Sequence, residues 1–140
     1  MAVMSTEPTP TIPWERIVAD VADALIYADR DGIIRAWNPA AAALFGFGAD
    51  EALGQSLDLI IPEHLREAHW RGYDRALARG HCGREVRTTR GRHKDGRKLY
   101  VDMSFCVVTD GAGQTLGSAA MARDVTERYL AELARRKAGG

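Results

Sequence analysis

Hydrophobic positions along the chain change period twice, and each change marks a new set of elements. Ile17, Val18, Val21 and Ala22 recur at helical spacing and predict a short amphipathic helix from Trp14. Its apolar face is left to pack on the domain or on a second copy of it. The pattern then alternates. Ala24 to Ala28 and Ile33 to Trp37 are β-prone runs separated by Asp29-Arg-Asp-Gly32, which predicts a hairpin closed by a tight turn. Asn38 followed by Pro39 ends the second strand and starts a helix over Ala40 to Phe45, with asparagine as N-cap and proline at the first helical position. Gly46, Gly48 and Gly54 break the next stretch into short turns.

Helical spacing returns from Asp58 to Leu77, the element around which the two halves of the chain are organised. Pro62 has the fixed φ suited to a first turn, Glu63 and Glu67 favour the N-terminal end, and Gly80 lies just past the last periodic residue. Leu65, His69, Gly72 with Tyr73, and Ala76 with Leu77 form one stripe, so His69 falls on the apolar face, away from Arg66, Glu67 and Asp74. A histidine there fits two roles: a packed core residue, or a ligand to a metal or haem iron held inside.

Beyond this helix the period becomes two. Gly83 to Arg92 reads as a charged strand, His93 to Gly96 as a turn, and Lys98 to Val108 as a long strand with Leu99, Val101, Met103 and Phe105 on one face. After the turn at Asp110 to Gly113, the small and apolar residues from Leu116 to Ala122 predict a central strand covered on both faces. Asp124 to Lys137 is helical, with Val125, Leu130 and Leu133 on one side and a basic last turn. This order of elements predicts an α+β fold, an antiparallel sheet with helices on one face. Before Trp14, Pro8, Pro10 and Pro13 among threonines predict a disordered leader over residues 1–13.

Composition narrows the function classes. The chain has 140 residues, enough for one domain with a real core, and its 19 basic and 19 acidic side chains cancel, so no net field favours nucleic acid or an anionic membrane. No run of about eighteen apolar residues and no charged-then-apolar secretion signal is found, which points to a cytoplasmic protein. The two cysteines, Cys82 and Cys106, lack metal-site spacing and are expected to be reduced. No nucleophile elbow or phosphate loop is present, so catalysis by the chain itself is not expected.

Several stretches together resemble the PAS domain family: Tyr27-Ala-Asp-Arg-Asp-Gly-Ile-Ile-Arg-Ala-Trp-Asn38-Pro-Ala-Ala, Leu44-Phe-Gly-Phe, Glu51-Ala-Leu-Gly54, Ile60-Ile-Pro62, Lys94-Asp-Gly96 and Arg123-Asp-Val-Thr-Glu-Arg128. The resemblance implies a five-stranded antiparallel sheet cupping a ligand pocket over residues 14–125, and a C-terminal signalling helix starting within 126–140. It implies an output domain or partner signalling protein beyond that helix, the chain being a stand-alone sensor or a piece ending there. A homodimer is expected, as is common in the family.

The Asn-Cys-Arg-Phe motif of adduct-forming flavin members is lacking, whereas haem-binding oxygen-sensing members are more similar. In those, an Ile/Met-Pro dipeptide precedes the histidine that binds haem b iron, and here Ile61-Pro62 leads to His69 at the matching spacing. Counting back from Lys94-Asp-Gly96, Arg87 takes the place of the arginine that bonds a diatomic gas, with Arg84 and Arg90 as alternatives, while Glu85 stands where one relative has a methionine ligand. Met103 and Phe105 correspond to apolar residues that crowd the gas side. The residues by themselves leave other readings open. Arg84, Arg87 and Arg90 also fit a charged outer face, Met103 fits core filler, Cys82 fits a bystander, a redox sensor or a ligand of ferric iron, and His64, His81 and His93 fit solvated turns. A PAS module that dimerises or binds another organic ligand is the alternative function.

Overall fold

A computed structural model of the chain describes residues 10–81 and 83–139. The elements run α1 (Trp14–Asp20), β1 (Ala24–Asp29), β2 (Ile34–Trp37), α2 (Pro39–Phe45), α3 (Ala49–Ala52), α4 (Arg66–Arg79), β3 (Arg87–Arg92), β4 (Lys98–Thr109), β5 (Thr115–Asp124) and α5 (Thr126–Gly139). Every strand pairing is antiparallel, and the spatial order is β2-β1-β5-β4-β3. The first hairpin and the last three consecutive strands thus meet where β1 pairs with β5.

The β1–β2 turn closes as its sequence predicts. The Asp29 carboxylate accepts from the Asp31 and Ile33 amides at 2.9 and 3.1 Å and from Arg35 Nε at 2.8 Å, and Gly32 takes a left-handed φ of 76°. Asn38 caps α2, accepting from Ala41 N at 3.0 Å. It does more than cap. The same Oδ1 accepts from Leu25 N at 2.9 Å, and Nδ2 donates to the Val18 and Asp23 carbonyls at 2.9 and 3.1 Å. One buried amide therefore ties together the end of α1, the entry to β1 and the start of α2.

Alternation on β4 places Leu99 and Val101 inward, where they meet Ile26, Ala28, Ile34, Phe45 and Ala122 in the core. Gly91 on β3 stands opposite Leu99, and with no Cβ it lets the Phe45 ring come close against the sheet. Trp37 and Phe45 pack with ring centroids 5.7 Å apart.

Several expectations are revised. The long helix does not begin near Asp58: Leu57–Ile60 and Glu63–Leu65 are single 3₁₀ turns, and α4 starts at Arg66. Pro62 is the cause. It stands with ψ of 139° ahead of the second turn and lacks an amide to continue a helix from Ile60, so the chain re-enters helix only after it. Gly80 ends α4 in the left-handed conformation, as expected.

The strand predicted from Gly83 enters the ladder only at Arg87. β5 occupies the middle of the sheet, but it is covered on one face only. Met121, whose side chain lies on the face opposite Ala122 and Ala120, is 38% exposed, because α2 and α4 pack on the other side. His93 is no solvated turn residue either: its side chain is 16% exposed, it lies against Gly46, and its Nδ1 accepts from Asp95 N. Residues 1–9 of the predicted leader, and Cys82, lie outside the described residues, while residues 10–13 are exposed and form no regular element.

Candidate functional site

The inner face of the sheet and α4 enclose a cavity of about 350 Å³. Ile26 and Ala28 of β1, Phe45 of α2, Ile60, Ile61 and Leu65 before α4, His69 and Tyr73 of α4, Gly91 of β3, and Val101, Met103 and Phe105 of β4 line it. A wider, more open cavity of about 590 Å³ shares Ala68, His69, Tyr73, Thr89, Met103 and Phe105 with the first and opens past Arg75, Arg79, His81, Glu85 and Arg87. The inner part is apolar and the outer rim is mostly cationic. Volumes of this size lie in the ~300–1,000 Å³ range of small-molecule sites.

His69 stands where the two cavities meet. Its ring lies edge-on to Trp70 at 4.7 Å and tilted against Tyr73 at 5.8 Å. Its Nδ1 is buried and has no hydrogen-bond partner among the described residues. Burial holds the imidazole below its ordinary pKa, with Asp58 and Asp74 opposing from a distance, so the ring is kept neutral with a lone pair to offer. An unsatisfied buried nitrogen is costly, and this one is covered by protein, so it is the rest of the ring that faces the two cavities.

The rest of α4 is fastened firmly. Tyr73, 4% exposed, donates to the Asp29 carbonyl at 2.6 Å and accepts from Ser118 Oγ at 3.2 Å, and burial raises its pKa. Trp70 Nε1 donates to Asp58 Oδ1 at 2.7 Å while its ring covers Gly32. Thr115 Oγ1 donates to the Leu77 carbonyl at 3.1 Å. A methyl group at residue 32 would strike the far edge of the Trp70 ring and sit at a left-handed φ. Gly32→Ala is therefore expected to lower stability by about 2 kcal/mol and to shift Trp70 fluorescence, read in a denaturant titration followed by tryptophan emission.

Of the other residues singled out in the sequence, Met103 and Phe105 line both cavities, with Phe105 6.2 Å from Tyr73 in an edge contact. Arg87 pairs in register with Met103 and so stands on the cavity face of the sheet. Its guanidinium is nonetheless out at the rim, 80% exposed, bonded to Glu85 Oε2 at 3.0 and 3.3 Å. Arg90 pairs with Tyr100 on the alternate face, although β3 at that point still borders the inner cavity. Arg84 is exposed in the segment before β3.

Sequence reasoning missed Thr89 and Tyr73. The first sits on the cavity face because it pairs with Val101, and the second is a hydrogen-bonding group between α4 and the hairpin turn. The helical stripe contained Tyr73, but nothing local told of its partner 44 positions away. Among the described residues no three His, Cys, Asp or Glu side chains converge. A metal bound at His69 would therefore have to arrive with further ligands of its own, as it does in a porphyrin.

The PAS fold model of known families matches residues 14–125. The sensor protein FixL of Bradyrhizobium diazoefficiens is 29% identical over 113 residues, covering 79% of this chain and 22% of that protein. The curated relatives are much longer, and this chain spans only between 10% and 22% of their lengths. Among solved structures, a PAS domain from Colwellia psychrerythraea has a TM-score of 0.72 at 23% identity, covering 81% of this chain and 95% of that one. An RNA-binding light-oxygen-voltage receptor has a TM-score of 0.68 at 26% identity, covering 95% of this chain and 42% of that one.

Proposed function

We propose, from the premise that this chain belongs to the PAS fold family, that it is a sensory domain holding haem b between α4 and the sheet, with His69 as the iron ligand. One observation carries the reading: a neutral imidazole at the junction of the two cavities. Haem, when bound, would supply an iron able to take up a diatomic gas. The chain's own residues do the rest. Trp70 and Tyr73 hold the His69 ring in place, and Val101, Met103 and Phe105 exclude water. Arg87, released from Glu85, is a cation able to donate to a polar ligand such as oxygen. The state of the site passes through the sheet to α5 and on to an output domain or partner signalling protein.

Titration of the purified chain with haemin tests this, with spectra recorded ferric, ferrous, and ferrous under oxygen and carbon monoxide. A Soret band that shifts with each gas is the expected result. A spectrum equal to free haemin at every ratio overturns it and leaves an organic ligand in the cavity.

A second reading, a homodimerising interaction module, is favoured by α1. It buries no residue, and Trp14 and Ile17 are 66% and 43% exposed. Removal of the residues before Asp23 is expected to convert a dimer to a monomer in sedimentation velocity, and an unchanged profile rejects the dimer through α1.

A further inference from the structure

We infer that Asp102 is the joint through which β3, the strand bordering the cavity, holds the exit helix α5. Successive side chains on a strand point to opposite faces, so Asp102, between the cavity-lining Val101 and Met103, lies on the outer face of β4. Both of its oxygens are engaged, each by a different element. Oδ1 accepts from Thr88 Oγ1 of β3 at 2.6 Å, and Oδ2 accepts from Arg128 Nη2 of α5 at 2.9 Å. The Thr88 hydroxyl, and after it Arg128, holds the Asp102 carboxyl below the ordinary carboxylate range, so it is fully charged at neutral pH and both bonds are charge-assisted.

The placement of Thr88 makes this a joint rather than one more surface pair. β3 is an edge strand, with β4 as its neighbour in the sheet. On its other face Arg87 and Thr89, the residues flanking Thr88, border the wider cavity. A shift of β3 at the cavity therefore moves Thr88, and Asp102 carries the change to α5. That helix has few other holds. It buries no residue, and besides Arg128 it meets the sheet through Tyr129, stacked on Tyr100 at 4.2 Å, and through Thr126, whose Oγ1 accepts from Tyr100 N at 2.9 Å. The neighbouring cation Arg123 is occupied elsewhere, on Asp23 at 3.0 and 3.3 Å.

The inference rests on α5 being the exit element but not on the identity of the ligand, so its test uses no ligand. Amide hydrogen exchange of α5 is measured in the whole chain and in its Thr88→Val, Thr88→Ser, Asp102→Ala and Thr88→Val/Asp102→Ala variants. Thr88 bonds Asp102 and not α5, yet Thr88→Val is expected to speed α5 exchange about two- to five-fold, the range for loss of one exposed charged contact. Thr88→Ser, which keeps the hydroxyl, is expected to exchange as the parent does, and Thr88→Val in the Asp102→Ala background to add nothing. Unchanged α5 exchange in Thr88→Val overturns the joint, as does an equal increment with and without Asp102. A Thr88→Ser variant that behaves like Thr88→Val overturns it as well. A failed haemin titration with this pattern intact would leave the joint standing and remove only the haem.

Discussion

His69→Ala is expected to weaken haem retention on the order of 100-fold or more and to abolish the gas-dependent Soret shifts, while the fold persists by far-ultraviolet circular dichroism. The ring is only partly buried, and its neighbours Trp70 and Tyr73 are anchored by their own bonds to Asp58 and Asp29, so its removal leaves α4 in place. If the variant still gives the parent's spectra, the iron is held elsewhere and His69 is a packing residue. The pH dependence of the apo protein separates the same alternatives. Burial depresses the pKa of His69 in the fold below the value near 6.5 that it has in the unfolded chain. At low pH the unfolded state thus binds the proton more readily. The stability tied to this group is complete above about pH 6.5 and is lost as the pH falls toward the folded value. His69→Gln should remove that part of the acid slope in urea midpoints measured between pH 7 and 5, and an identical slope would mean that the imidazole titrates as freely folded as unfolded. Haem retention should weaken over the same acid range, because the proton and the iron compete for one lone pair.

The second large effect is on stability. Asn38→Ala is expected to cost about 3 kcal/mol, a large part of the ~5–15 kcal/mol that holds a domain of this kind, and to lower the melting temperature by roughly 10 °C. The side chain is 4% exposed and serves four partners: the amides of Leu25 and Ala41 and the carbonyls of Val18 and Asp23. Deleting it leaves two amides and two carbonyls at a junction that water reaches poorly. Asn38→Asp sharpens the test, since it keeps both acceptances, including the helix cap, but can no longer donate to Val18 and Asp23. Were capping its whole contribution, the aspartate variant would melt with the parent. The structure requires it to melt well below, with α1 detached first. Thermal unfolding followed by calorimetry, with exchange of the α1 amides, reads both.

Asn38 also shows how the fold was divided between local and distant causes. Its place before proline announced a helix cap, and that much is local, for a cap acts within three residues. The carbonyls of Val18 and Asp23 lie 20 and 15 positions back, where no pattern could reveal that this amide would find them. The candidate site divides the same way. The stripe that carried His69, the alternation that put Met103 and Phe105 beside Val101, and the count from Lys94-Asp-Gly96 that singled out Arg87 were all legible. Three things were not: that His69 Nδ1 lacks a partner, that Arg87 is drawn to the rim by Glu85, and that Tyr73 reaches the Asp29 carbonyl. The first and the last depend on how closely separate elements approach, whereas Arg87 and Glu85 stand two residues apart and only their side-chain conformations bring them together.

By itself, then, the sequence determined the period of each element, the Asp29–Gly32 turn, the stop at Gly80 and the inward face of the central helix. These follow from backbone sterics and from the separation of apolar and polar side chains over a few residues. Only the tertiary structure decided that β3 joins the sheet no earlier than Arg87 and that β5 keeps one face open. Those outcomes depend on which strands find partners and which faces find cover, and the partners lie far along the chain.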